Sequence, residues 1–233
     1  MRVFGKGFNF SEDGPGNRLV YHLSGCNMHC PWCSNPDGMD AKEGKSYTKE
    51  ELFSEIISCK PMFFSGGGVT FTGGEATLWH DELLPLLKEL RKNGVHTAIE
   101  TNGTSPRLLS LIEEVDYLIM DFKHYDACVM LAVTGEGNEV LKKNFEAIAK
   151  SRRQAHIRIP LINSFNADNP DGFAEYFARH AHEGMVFELL PYHEYGRSKW
   201  KTPYTVENGF ISPEALLRFE DAFRAHGLKL VKT

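Results

Sequence analysis

Short apolar runs alternate with amphipathic stretches along most of this chain. Residues 18–23, 69–72, 95–100, 117–121, 155–161 and 185–190 are each brief, apolar and rich in β-branched or aromatic side chains, which predicts six strands. Between and after them, apolar positions recur at helical spacing over 48–59, 81–93, 105–114, 138–151 and 169–182, and in a last helix opening at Ser212-Pro213. Thr48 followed three residues on by Glu51 reads as a capping box. Leu108, Leu109, Ile112 and Val115 share one face of their helix. Gly94 and Gly227 read as helix stops, the second before a short apolar run at 228–231. Pro85 fits its helix only within the first turn, where a missing N–H costs little.

Six strand–helix units argue for a parallel sheet with helices outside. Six is too few for a closed eight-fold barrel, so an open doubly wound sheet and an incomplete barrel both remain. The expectation is α/β: an incomplete (β/α)6 barrel of parallel strands with outer helices, forming one domain over residues 1–233. Either architecture puts functional residues at the C-terminal ends of the strands.

At 233 residues, with 42% hydrophobic and 24% charged positions, the chain has enough apolar content for a buried core. That excludes a fibre, a disordered tail and a disulfide-dense miniprotein. The net charge of −5 argues against a nucleic-acid partner, whose phosphates demand basic surface. No apolar run approaches the roughly 20 residues of a membrane span, and charged residues soon follow the start. The expected setting is cytoplasmic, with no membrane partner and a monomeric state. Three of the five cysteines fall within eight residues, a density that suggests a metal and not disulfides.

Those three are Cys26, Cys30 and Cys33, spaced C-x3-C-x2-C just after the first predicted strand. Thiolates ligate both iron–sulfur clusters and structural zinc. Zinc wants a fourth closed ligand, and His29 is awkward because it adjoins Cys30. An iron–sulfur cube held by three thiolates keeps one iron open for a substrate. On this loop alone, iron–sulfur, zinc and no metal all stay open.

With Trp32 placed before its last cysteine, the loop resembles the signature of the radical S-adenosylmethionine (SAM) superfamily. That resemblance implies one [4Fe–4S] cluster on Cys26, Cys30 and Cys33, and SAM bound at the open iron. Reductive cleavage of SAM would then give a 5′-deoxyadenosyl radical. Other strand ends carry matching residues: Gly73-Gly74-Glu75, Glu100-Thr101-Asn102-Gly103, Asp121-Phe122-Lys123, Arg158 and His193. By resemblance the SAM contacts are Trp32, Cys33, Ser34, Gly73, Gly74, Glu75, Glu100, Asp121, Phe122, Lys123, Arg158 and His193. A monovalent cation such as Na+ or K+ is implied at Glu100, Thr101, Ile119 and Asp121. Read alone, Asp121 and Lys123 are a surface ion pair on one side of a strand, Gly-Gly-Glu is a turn, and Arg158 is a packing charge.

Four further stretches resemble glycyl-radical-enzyme activating enzymes: residues 13–18, 34–37, 65–75 and 188–200. Between 34 and 72 only Cys59 occurs, so a ferredoxin-like insertion is absent and the likeness is to the compact branch. Cys59 and Cys128 are expected to be structural. The resemblance implies hydrogen abstraction from a glycine Cα in a partner glycyl radical enzyme, pyruvate formate-lyase or a relative. It also implies flavodoxin or ferredoxin as electron donor, and no proton-transfer residue. Two rivals remain: a radical SAM enzyme acting on a small molecule, and a zinc-stabilised α/β binding module. Specificity is expected in surface loops 125–138 and 201–211. His80, His96, His156, His180 and His182 are expected at the surface or flanking strands.

Overall fold

The structure is a computed structural model and describes residues 1–232. In chain order its elements are β1 (Arg2–Phe10), β2 (Asn17–Leu23), β3 (Lys45–Ser46), α1 (Lys49–Ser58), β4 (Gly68–Gly73), α2 (His80–Lys92), β5 (Thr97–Thr101), α3 (Leu108–Ile112), β6 (Tyr117–Asp121), α4 (Ala127–Thr134), α5 (Glu139–Lys150), β7 (Ala155–Leu161), α6 (Pro170–Ala178), β8 (Met185–Pro191) and α7 (Pro213–Ala225). The strands follow the order β3-β1-β2-β4-β5-β6-β7-β8, an open series. β2–β4, β4–β5 and β7–β8 pair in parallel, while β1 runs antiparallel to β2 and to β3. The expected α/β class and unclosed, mostly parallel sheet are therefore found. The six expected strands correspond to β2 and β4 to β8; β1, β3 and α4 were not anticipated. No helix among the described residues is long and apolar enough to cross a membrane.

The chain divides into two compact units. The first comprises Met1–Asn27, Asn35–Thr101 and Ser105–Ile119. Its core sets Tyr21 of β2 on Phe71 of β4, rings stacked at 5.7 Å. Leu83, Leu86, Leu87 and Leu90 of α2 are fully buried at the i, i+3, i+4, i+7 spacing of one helix face. The capping box of α1 forms as expected: Glu51 N–H donates to Thr48 Oγ1 at 3.1 Å, and Thr48 N–H to the Glu51 carboxylate at 2.8 Å. Pro85 differs from expectation. A 3-10 turn at Ala76–Trp79 runs straight into α2, so the helix begins at His80 and Pro85 sits beyond its first turn.

A buried guanidinium fixes the hairpin between β1 and β2. Arg18 is fully enclosed; its Nε donates to Thr70 Oγ1 at 2.7 Å and its Nη2 to the Val69 carbonyl at 2.6 Å. Nη1 reaches the Pro15 carbonyl and His96 Nδ1, both at 3.1 Å. Thr70 Oγ1 in turn donates to the Asp13 carbonyl at 2.7 Å. The Asp13 to Arg18 stretch is thus held by its own last side chain.

The second unit comprises Met28–Ser34, Asn102–Thr104 and Met120–Thr233, described to residue 232. Its core is aromatic: Phe122, Phe145, Phe173, Phe177, Phe187, Phe219 and Phe223 are all essentially inaccessible. Phe177 lies 4.9 Å from both Phe122 and Phe187, ring to ring. α4 is opened by Asp126, which accepts from Val129 N–H at 3.0 Å, and closed by Gly135 at a φ of 78°. The expected run at 228–231 contributes a single parallel bridge, Leu230 to Phe187. α3 and α6 are shorter than their periodicity suggested, because turns at 106–107, 113–114 and 179–180 replace their ends.

Candidate functional site

Most of the residues singled out lie at or just past the C-terminal ends of parallel strands, Arg158 in the middle of β7 excepted, and each unit positions its own set. In the first unit, the turn after β2 carries Cys26. Gly25 turns there with a φ of 95° and donates to the Gly38 carbonyl at 2.8 Å, while Cys26 N–H reaches the Met39 carbonyl at 3.3 Å. At the end of β4, Gly74 N–H donates to the Leu23 carbonyl at 2.8 Å and Glu75 N–H to the Gly25 carbonyl at 2.7 Å. A Cβ on Gly74 would run into the carbonyl oxygens of Gly25 and Gly38. The diglycine therefore lets two backbone segments touch, and that contact sets the turn from which Cys26 emerges.

Glu75 is buried beside them. Its Oε1 accepts three bonds: from Thr77 N–H at 3.0 Å, Thr77 Oγ1 at 2.6 Å and Thr101 Oγ1 at 2.7 Å. Glu100, half-buried at the end of β5, accepts from Thr72 Oγ1 at 2.8 Å. Ile119 is a fully buried core residue of β6. His80, expected at the surface, is buried against Ser110 Oγ at 2.7 Å, and half-buried His96 receives Arg18. His80, at the start of α2, thus faces inward and corrects that expectation, while His96 flanks β5 as expected.

In the second unit, Cys30 and Cys33 share a turn closed by Cys33 N–H on the Cys30 carbonyl at 3.1 Å. His29, exposed, is tied through its N–H to the Thr134 carbonyl at 2.8 Å. Trp32 lies on Phe165, ring centroids 4.6 Å apart, within an apolar cluster that includes Ile162, Tyr192, Val129 and Val133. Two side chains from beyond β8 reach the same loop: Trp200 Nε1–H donates to the Cys33 carbonyl at 3.1 Å, and Lys199 Nζ to the Ser34 carbonyl at 3.0 Å.

Asp121 and Lys123 stand on one side of their segment and pair at 2.6 Å. Burial pulls the Lys123 ammonium down, but Asp121, Cys30 and Cys33 together hold it above its ordinary value. Burial likewise pushes the Cys30 thiol up to about 11, with Lys123 opposing. Phe122, between them, packs into the aromatic core, so its side chain is turned away from Asp121 and Lys123; only its backbone, bonded to the Arg158 carbonyl at 2.8 Å, remains at the strand end. Asn166, which no sequence motif flagged, bonds the carbonyls of Lys123 at 3.1 Å and Pro160 at 2.6 Å and steadies this corner.

Arg158 is buried on β7, its Nε 3.0 Å from Glu188 Oε2 on β8, directly across the register. His156 Nε2 lies 3.0 Å from the same oxygen, so His156 is also an interior residue and not a surface one. His193 is exposed, stacked on Tyr195 at 4.2 Å, with its pKa lowered by partial burial. Asn102 folds back, its Oδ1 accepting from Thr104 N–H at 3.1 Å and Thr104 Oγ1 at 2.7 Å.

Among the described residues, no three His, Cys, Asp or Glu side chains already converge as a metal-holding group. The donor chemistry nonetheless fits an iron–sulfur cluster. Three thiols come from one eight-residue stretch, none of the five cysteines is in a disulfide, and Lys123 supplies positive charge to two of the thiols.

Residues 20–177 match the family model described as the radical SAM superfamily. The chain is 35% identical over 227 residues to the pyruvate formate-lyase-activating enzyme of Staphylococcus epidermidis, covering 91% of this chain and 89% of that one. It is 34% identical over 198 residues to the enzyme of that name from Clostridium pasteurianum, covering 81% of each. Among solved structures, a domain of pyruvate formate-lyase-activating enzyme from Bacteroides vulgatus is similar, at TM-score 0.59 and 30% identity over 71% of this chain and 98% of that one. Streptococcus suis SuiB bound to S-adenosylmethionine has a similar fold, at TM-score 0.69 and 14% identity over 92% of this chain and 49% of that one.

Proposed function

The chain belongs to the radical SAM superfamily and, within it, to the pyruvate formate-lyase-activating enzymes, and on that premise we propose that it installs a glycyl radical in a partner enzyme. The observation that carries this reading is the cysteine loop, with Lys123 and Asp121 paired in the same unit as Cys30 and Cys33. Cys26, Cys30 and Cys33 would hold a [4Fe–4S] cluster. Bound there, the cluster would supply the one-electron chemistry that turns SAM into a radical able to take a hydrogen atom from a glycine Cα.

The chain's own residues bind, orient and shield. SAM carries an ammonium and a carboxylate on its amino-acid end. Lys123 suits the carboxylate, and Asp121 and Glu75 suit the ammonium, by charge and by hydrogen-bonding capacity. Trp32 and the apolar cluster under it exclude water from the loop's inner side. No side chain need move a proton for a hydrogen-atom transfer, and positioning of the radical carbon against the target glycine carries the rate. A monovalent cation at Glu100, Thr101, Ile119 and Asp121 is not required by this scheme. The partners are a glycyl radical enzyme as protein substrate and a flavodoxin or ferredoxin as reductant, with the enzyme acting as a cytoplasmic monomer.

The test is electron paramagnetic resonance on an anaerobic mixture of reconstituted enzyme, SAM, a reductant and pyruvate formate-lyase. The expected result is a glycyl radical signal on the lyase. Cys26→Ala, Cys30→Ala and Cys33→Ala should each abolish it while circular dichroism stays unchanged. Cleavage of SAM without a radical on any glycyl radical enzyme tried would point to a small-molecule substrate. Zinc and no brown chromophore would remove the radical chemistry altogether.

A further inference from the structure

The segment that follows β8 touches the cysteine loop three times, and all three contacts lie within the second unit. Trp200 Nε1–H donates to the Cys33 carbonyl at 3.1 Å and Lys199 Nζ to the Ser34 carbonyl at 3.0 Å. Gly196 is buried, and a Cβ built on it would lie 2.5 Å from Ser34 Cα and 2.7 Å from the Cys33 carbonyl oxygen. Those neighbours are backbone, so a side chain at 196 would have to push the loop away. The segment is itself braced: Tyr192 and Tyr204 hydroxyls meet at 2.7 Å, Trp200 packs edge-on against Tyr204, and Glu194 takes Arg197 Nη1 at 2.9 Å on both oxygens.

We infer that residues 192–204 form a clamp that holds Cys33 at its ligating position, with Trp200 and Gly196 as positioning residues. The inference rests on the cluster reading above, since Cys33 must be a ligand for its placement to matter. A backbone carbonyl that accepts an indole N–H is held in direction. It also carries less negative charge toward the ligand beside it, which favours the reduced, more negative state of a cluster. Loss of that donor leaves Cys33 in the chain but lets its turn move, and lowers the midpoint potential.

Two variants separate these effects. Trp200→Phe keeps the ring against Tyr204 and removes only the donor. Gly196→Ala keeps the donor and displaces the backbone. Each is compared with wild type by circular dichroism, by iron content after anaerobic reconstitution, by redox titration of the cluster signal, and by alkylation of the metal-free protein with iodoacetamide followed by peptide mapping. The exposed Cys128 serves as internal reference for the alkylation.

For Trp200→Phe the expected result is native circular dichroism, near-full iron, a more negative midpoint potential and several-fold faster loss of iron to a chelator. Cys33 alkylation relative to Cys128 should rise several-fold in both variants, and Gly196→Ala should lose most of its iron. An unchanged potential, unchanged chelator half-life and unchanged Cys33 alkylation in Trp200→Phe would overturn the clamp. If wild type takes up no iron, the cluster reading fails, and the alkylation ratio alone still decides whether the segment restrains Cys33.

Discussion

At the level of single residues, the polar side chains at the strand ends are mostly committed to one another. Glu75 holds Thr77 and Thr101, Glu100 holds Thr72, and Asp121 holds Lys123. Such pairing fixes carboxylates in direction before a ligand arrives. Lys123→Ala should therefore weaken SAM binding about tenfold or more, measured by calorimetry on reconstituted protein, while iron per chain stays at the wild-type value. A SAM affinity equal to wild type would remove Lys123 from the site. A second consequence concerns pH. Burial, aided by the adjacent Arg18 guanidinium and opposed by Asp116, lowers the His96 pKa below its ordinary 6.5. The unfolded chain then binds the extra proton first, so this group's stabilisation is complete above about pH 6.5 and is lost as pH falls through the lowered value. His96→Gln keeps an acceptor for Arg18 and cannot titrate. Its stability, followed by urea unfolding between pH 7.5 and 5, should fall less steeply than wild type.

At the level of elements, the strands and most helices were legible because their signals are local. β6 and β7 begin and end where their apolar runs do, and the capping box at Thr48 sits where its spacing put it. Thr48→Ala should cost about 1 kcal/mol, read as a lower urea midpoint, with activity unchanged. β1 was missed because glycines at 5 and 7 dilute its alternation and because two of its large side chains, Phe8 and Phe10, stay exposed. α4 was missed because Ala127 to Thr134 is apolar all round and has no helical stripe, although Asp126 and Gly135 mark its two ends. Pro85 misled in the opposite way: the 3-10 turn ahead of α2 lengthened the helical run N-terminal to it.

At the level of the whole molecule, what could be read was the part of the site written in short spacings. The three cysteines fall within eight residues, and the strand-end motifs each lie inside three or four. What could not be read depends on chain segments distant in sequence. Trp200 meets the Cys33 carbonyl across 167 positions, and Arg158 meets Glu188 through a strand register that no local pattern encodes. The buried histidines at 80 and 156 escaped for the same reason, since their partners, Ser110 and Glu188, are 30 and more positions away.

β3 covers β1 only at Arg2 and Val3, which leaves the outer backbone of the remaining strand without a sheet neighbour among the described residues. An uncovered margin of this kind is a template for a second chain, and here Phe8 and Phe10 add greasy area to it. Lys6, midway along, is turned onto Glu55 of α1 and the Tyr47 ring, so its charge is engaged over the sheet face and does not line the open edge. Concentrated stocks are therefore expected to self-associate along this border first, which light scattering at rising concentration checks.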